Sequence, residues 1–176
     1  MPSDEELMSA VAGGDLDAFE EIVLRHQSDA WRVAWRFIGD AAEAEDLVQE
    51  AFLRILDAAP RYRPTASFRT YLFRVLNRVC IDHARRMRPA ATDSLPDHAD
   101  GSPSPAQQAS LSEREALIQA ALDTLPGDQR MALVLRYFEG ISGTEMAEAM
   151  GRSVKAVERL LSRARASLEP RLRGLF

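Results

Sequence analysis

Cysteine, aromatic residues and long apolar runs are all scarce in this 176-residue chain, and each shortage closes off a class of protein. Cys80 is the single cysteine, so no internal disulfide framework can form. No apolar stretch approaches the roughly 20 residues that a membrane span needs, so no membrane insertion is expected. The opening Met1-Pro2-Ser3-Asp4-Glu5-Glu6 is acidic and polar, whereas a secretory signal starts basic and turns apolar. A cytoplasmic location fits these features. Neither a glycine-rich phosphate loop nor a nucleophile elbow occurs. Cys80, Asp82 and His83 lie close together, but one cysteine and one histidine are too few for a structural zinc. His26 and His98 stand in no ligand pattern. The expectation is a chain without catalytic residues, metal ligands or cofactors, and not an enzyme.

What is present favours helix. Apolar residues make up 46% of the chain, and Ala, Leu, Arg and Glu are plentiful. The net charge is -5, but it is unevenly spread. Acids dominate before residue 60, with only Arg25, Arg32, Arg36 and Arg54 to oppose them. Between residues 61 and 88 the balance reverses: Arg61, Arg63, Arg69, Arg74, Arg78, Arg85, Arg86 and Arg88 face Asp82 alone. From residue 152 onward the chain is basic again. Two separate basic segments in an acidic chain suggest two contacts with a polyanion, although charge alone fits a pair of solvated helix faces equally well.

Residues 89–110 are rich in Pro, Ser, Ala and Asp and poor in large apolar side chains, a composition that reads as a flexible linker. It separates an N-terminal domain over 1–88 from a C-terminal domain over 111–176. In the first, Ala18, Phe19, Ile22 and Val23 recur at helical spacing, with Asp15 or Asp17 as a cap. Trp31, Ala34, Trp35 and Ile38 continue that pattern to Gly39. Further helices are expected over about 42–58 and 68–86, the latter with Leu72, Val75, Val79 and His83 along its apolar stripe. The C-terminal domain reads as four short helices, near 111–122, 129–138, 143–150 and 154–172. The fold class expected is all-α, two small helical domains.

The segment 143–162, GTEMAEAMGRSVKAVERLLS, has the spacing of a helix-turn-helix. Ala147 supplies the small contact between helices, Gly151 can take the positive φ of the turn, and Ser153 can cap the second helix. Val157 and Leu160 would seal that helix onto Met146 and Met150. Arg152 occupies a turn position usually apolar, as an exposed residue or one reaching a phosphate. In such a motif the N-terminal part of the second helix enters the major groove. Lys155, Glu158, Arg159, Ser162 and Arg163 would then face outward, to read base edges or to hold phosphates.

Three segments together resemble bacterial extracytoplasmic-function (ECF) sigma factors of the sigma-70 family. The first, Ala44-Glu45-Asp46-Leu47-Val48-Gln49-Glu50-Ala51-Phe52-Leu53-Arg54, is similar to the family's D-x-x-Q-E-x-F signature. The second is Ser67-Phe68-Arg69-Thr70-Tyr71-Leu72-Phe73-Arg74-Val75 with Ile81-Asp82-His83-Ala84-Arg85-Arg86, similar to the promoter-melting helix. The third runs from Leu125-Pro126 through Tyr137-Phe138-Glu139-Gly140 and the helix-turn-helix to Ser162-Arg163-Ala164-Arg165. The resemblance implies a transcription initiation factor that binds core RNA polymerase at the beta-prime clamp and beta flap, binds promoter DNA, and is controlled by an anti-sigma factor. It assigns polymerase binding to Asp46, Gln49, Glu50 and Arg54, whose spacing also puts them on one side of a helix. It assigns the minus-ten element to Arg61, Arg63, Arg69, Tyr71, Arg74, Asn77, Arg78 and Arg85, with a flipped base held partly by the loop from Arg61 to Ala66. It assigns the minus-thirty-five element to Lys155, Glu158, Arg159, Ser162 and Arg163. Tyr71 replaces the family's usual tryptophan, Asn77-Arg78 reverses its Arg-Asn pair so that either residue is open for the base pocket, and Glu158 stands where a basic residue is common. An ordinary helix-turn-helix repressor would leave the Asp46–Arg54 segment and the 61–88 basic block unexplained, and an adaptor that binds only an anti-sigma protein would not need both basic segments.

Overall fold

The computed structural model describes residues 1–87 and 112–173, and the described residues contain helices and no strand. The expected linker at 89–110 lies outside the described residues. In the N-terminal unit α1 covers Asp4–Ala12, α2 Leu16–Ile38, α3 Ala41–Ala58 and α4 Phe68–Met87. In the C-terminal unit α5 covers Glu113–Asp123, α6 Gly127–Leu133, α7 Gly143–Met150 and α8 Val154–Leu172.

Local chemistry sets the boundaries. Ser3 and Glu6 form a capping box that starts α1, a helix absent from the sequence reading. The helix is held by burial of Leu7, Met8 and Val11, and by Asp4, which meets Arg25 at 3.1 Å and His26 at 2.8 Å. Asp15, not Asp17, caps α2 by accepting the N–H groups of Asp17 and Ala18. Gly39 ends α2 in the left-handed region at φ 77°, and Asp40 caps α3. Ser112 and Ser142 each head a capping box, and Ser153 caps α8 through the N–H of Ala156. The helix expected over 129–138 changes character at Val134: its last turn widens, so that the Glu139 N–H reaches the Val134 carbonyl.

The N-terminal core is built from Ile22, Val33, Phe37, Ile55, Phe68, Leu72, Phe73 and Leu76, all at most 2% exposed. Burying each such side chain stabilises the fold by about 1.5–3 kcal/mol. Along α4 the buried stripe is Leu72, Phe73, Leu76, Val79 and Cys80, while Val75 and His83 are only partly covered. In the C-terminal unit Met131, Leu135, Met146 and Val157 are fully buried.

The two units pack on each other and share one continuous apolar core. Helix α4 lies against α7, and α2 lies against α5 and α6. Gly127 opens the seam, since a Cβ there would come within 3.2 Å of Ile81 Cδ1 and 3.5 Å of Phe37 Cζ. The last carbonyls of α2, which a helix cannot satisfy itself, are capped from the other unit. Gln119 Nε2 donates to the Arg36 carbonyl at 3.0 Å and Arg130 Nη1 to the Phe37 carbonyl at 2.6 Å. The Arg36 guanidinium is held between Trp35 and Phe138, 4.7 and 4.5 Å from their ring centroids, and burial lowers its pKa.

Candidate nucleic-acid and polymerase interfaces

The amphipathic pattern of α3 turns Ala44, Leu47, Val48, Ala51, Phe52 and Ile55 inward. Asp46, Gln49 and Arg54 are consequently exposed, with Glu50 half-buried beside them, so the structure does bring this predicted group onto one face. Arg54 pairs with Glu50 at 2.5 Å and reaches Asp82 of α4 at 3.8 Å. Arg54 also lines a shallow basic cleft with Arg85 and Arg86. Arg85, predicted for the minus-ten group, therefore lies beside the α3 face.

The start of α4 and the loop before it form a second cleft, of about 220 Å³, lined by Arg63, Thr65, Ala66, Tyr71, Arg74 and Glu148. Ser67 fixes the helix start: its Oγ accepts the Thr70 N–H at 3.2 Å and lies 3.0 Å from Thr70 Oγ1. Tyr71 is wedged against Tyr62 and Phe68, with ring centroids 4.9 and 6.1 Å away, and burial raises its pKa. Arg63, Tyr71 and Arg74 thus converge as the sequence suggests. Arg61 is exposed and 3.7 Å from Asp57. Arg78 is exposed, whereas Asn77 is half-buried and its Oδ1 is shielded, with no hydrogen-bond partner among the described residues.

Arg69 is placed elsewhere, in an ion cluster at the seam. Its Nε meets Asp29 at 2.8 Å and its Nη2 meets Glu139 at 2.6 Å, while Arg32 approaches Glu139 at 3.2 Å. The Glu139 side chain is 1% exposed. Burial pushes the Asp29 carboxyl up, but hydrogen bonds from Arg69 and Arg32 outweigh it and hold the group below its usual range. Arg74 reaches a second acid from the other unit, Glu148, at 3.3 Å. Glu139 and Glu148 were not singled out in the sequence. Glu139 stands there only within the Tyr137-Phe138-Glu139-Gly140 stretch, and no local pattern marks a partner seventy positions away.

The helix-turn-helix is present. Helix α7 ends at Gly151, which takes φ 62°, and α8 follows from its Ser153 cap. Val157 is buried and Leu160 half-buried against the core as the sequence suggests, and Leu161, which the sequence reading lacked, is buried more deeply than Leu160. Lys155, Glu158, Arg159, Ser162 and Arg163 are all exposed along the outer face. Arg152 is held by Asp128 at 2.5 Å.

Residues 22–89 match the sigma-70 region 2 family, and residues 115–168 match the sigma-70 region 4 family. The RNA polymerase sigma-H factor of Pseudomonas aeruginosa is 33% identical over 98% of this chain and 95% of its own length. The ECF RNA polymerase sigma factor SigW of Bacillus subtilis is 31% identical over 94% of both chains. Among solved structures, CnrH in complex with the cytosolic domain of CnrY superposes with a TM-score of 0.74 at 29% identity, covering 98% of this chain and 99% of that one. With both regions matched in order and relatives 31–33% identical over nearly their whole length, the chain belongs to the ECF sigma factors of the sigma-70 family.

Proposed function

We propose that this sigma factor works in the cytoplasm, without catalysing a reaction itself, through three surfaces with separate tasks. The exposed α3 face of Asp46, Gln49, Glu50 and Arg54 docks on the beta-prime clamp of core RNA polymerase. The cleft between the 61–66 loop and α4 holds an unpaired base of the minus-ten element, with Tyr71 as the stacking surface and Arg63 and Arg74 following the backbone. Helix α8 enters the major groove at the minus-thirty-five element with Lys155, Arg159 and Arg163, while the C-terminal unit contacts the beta flap. The observation that carries this reading is the convergence of Arg63, Tyr71 and Arg74 of the N-terminal unit on one cleft, apart from the exposed basic face of α8.

Run-off transcription with core polymerase and genomic DNA, followed by mapping of start sites, tests the reading. Discrete start sites that share two spaced elements and vanish without the protein are expected. Transcription that is unchanged by its addition would refute it. A protein partner that restrains the factor is the companion proposal, supported by the similarity to CnrH, which was solved with the cytosolic domain of CnrY.

A further inference from the structure

We propose that the free chain blocks its own minus-ten surface, with Glu139 and Glu148 of the C-terminal unit occupying the arginines of α4 that would otherwise take DNA phosphates. The inference rests on the assignment of α4 to the minus-ten element made above.

The geometry is specific. Arg69 and Arg74 are five residues apart on α4, and each is engaged by an acid from the other unit. A carboxylate offers a guanidinium the same kind of paired oxygens as a phosphate, so either ligand fits the same fork. Glu139 is the stronger of the two. Its carboxylate is almost completely buried and is tolerated there only because Arg69 and Arg32 both reach it. Arg69 also donates to the Glu139 carbonyl at 3.3 and 3.4 Å. Glu148 is half exposed, so its pair with Arg74 is weak as a tether. Its position is what matters: it forms one wall of the cleft that holds Tyr71 and Arg63. With α7 packed on α4, DNA cannot lie along that helix, and the two units must part before it enters.

Asp29 makes the arrangement reversible. It belongs to the N-terminal unit and holds Arg69 from the other side. When Glu139 leaves, Arg69 keeps one partner and stays in place for a phosphate. A closed form of this kind lowers apparent DNA affinity by the fraction of molecules that are open. Polymerase, by holding the two units apart, would remove that restraint.

The test uses the full chain, free of polymerase. Small-angle X-ray scattering reads its compactness, and fluorescence anisotropy reads binding of a short single-stranded DNA of randomised sequence. The variants are E139Q, E148Q and the double variant. E5Q/E20Q is the control, removing the same charge from exposed acids away from the seam. The double variant should expand and bind the oligonucleotide about tenfold more tightly than the control, as expected if about nine-tenths of the wild-type molecules are closed. E148Q changes an exposed residue, so it keeps the test informative should E139Q fold poorly; it should retain compactness and gain a smaller increment. An unchanged scattering profile in the double variant would overturn the latch, and expansion with no gain in DNA binding would overturn the block. Promoter opening by holoenzyme carrying R63A/R74A reports separately on the minus-ten assignment, because polymerase holds that form open whatever the latch does.

Discussion

Arg130 donates to the Phe37 carbonyl at 2.6 Å while its guanidinium lies 5.3 Å from the centroid of the same residue's ring. One side chain of α6 thereby closes the C-terminal end of α2 and covers the last aromatic of its apolar stripe. Arg130 also donates to the carbonyls of Asp123 and Leu125, both at 3.1 Å, so it fixes the turn into its own helix. Replacing Arg130 with Ala strands buried carbonyls on both sides of the seam. A loss of about 2–3 kcal/mol is expected in urea unfolding, with the α2 end and the 123–126 turn losing amide-exchange protection first.

Reversing Asp46 and Glu50 to Lys should weaken binding to core polymerase and leave the helical circular dichroism unchanged, because neither carboxylate carries a contact within the apolar core. The measurement is affinity for core enzyme in a pull-down or by surface plasmon resonance. Full retention of affinity would remove α3 from the docking surface.

Arg159 and Arg163 stand one turn apart on the exposed side of α8. Alanine at a position that reads a base should cost about 1–3 kcal/mol and relax preference at one base pair. Alanine at a phosphate contact should lower affinity for all sequences alike and make binding less steeply dependent on salt. Titrating each variant against minus-thirty-five duplexes at several salt concentrations separates the two roles. If neither preference nor salt slope changes, α8 does not lie in the groove.

The seam should be acid-sensitive through Asp29. Its folded-state pKa lies below its ordinary value, so its contribution to stability is complete above that ordinary value. The contribution is lost as pH falls through the depressed value, a window beginning below about pH 4. D29N lacks the group and should lose less thermal stability than the wild type over that range. Parallel acid limbs in melting temperature for the two proteins would contradict the assignment.

Much of this fold was legible because its signals are local. Gly151 and Ser153 mark the end of α7 and the start of α8, and the structure uses each as the spacing suggests. Helix α1 escaped although Ser3 and Glu6 carry a capping signature, since only Leu7, Met8 and Val11 supply its apolar face. The α3 face was legible for the same reason as the helix itself, a period that puts Asp46, Gln49 and Glu50 opposite Leu47, Ala51 and Ile55. The seam was not. Arg69 reads as one more arginine in a basic block, and only the packing of α4 on α7 brings it to Glu139. Asn77 shows the same limit: periodicity does not say that its side-chain oxygen turns away from solvent.

Cys80 sits fully covered in the α4 stripe, and desolvation pushes its thiol far above the ordinary range. At neutral pH it offers essentially no thiolate, the form that peroxides and disulfides attack. The chain therefore presents no accessible thiol for an oxidant to act on. If its regulon answers oxidative stress, thiol-based sensing falls to another molecule, which passes the signal on as a change in binding. The same inertness makes any cysteine introduced at the surface the sole reactive handle on the native protein, so a label placed on either unit will report the motion of that unit alone.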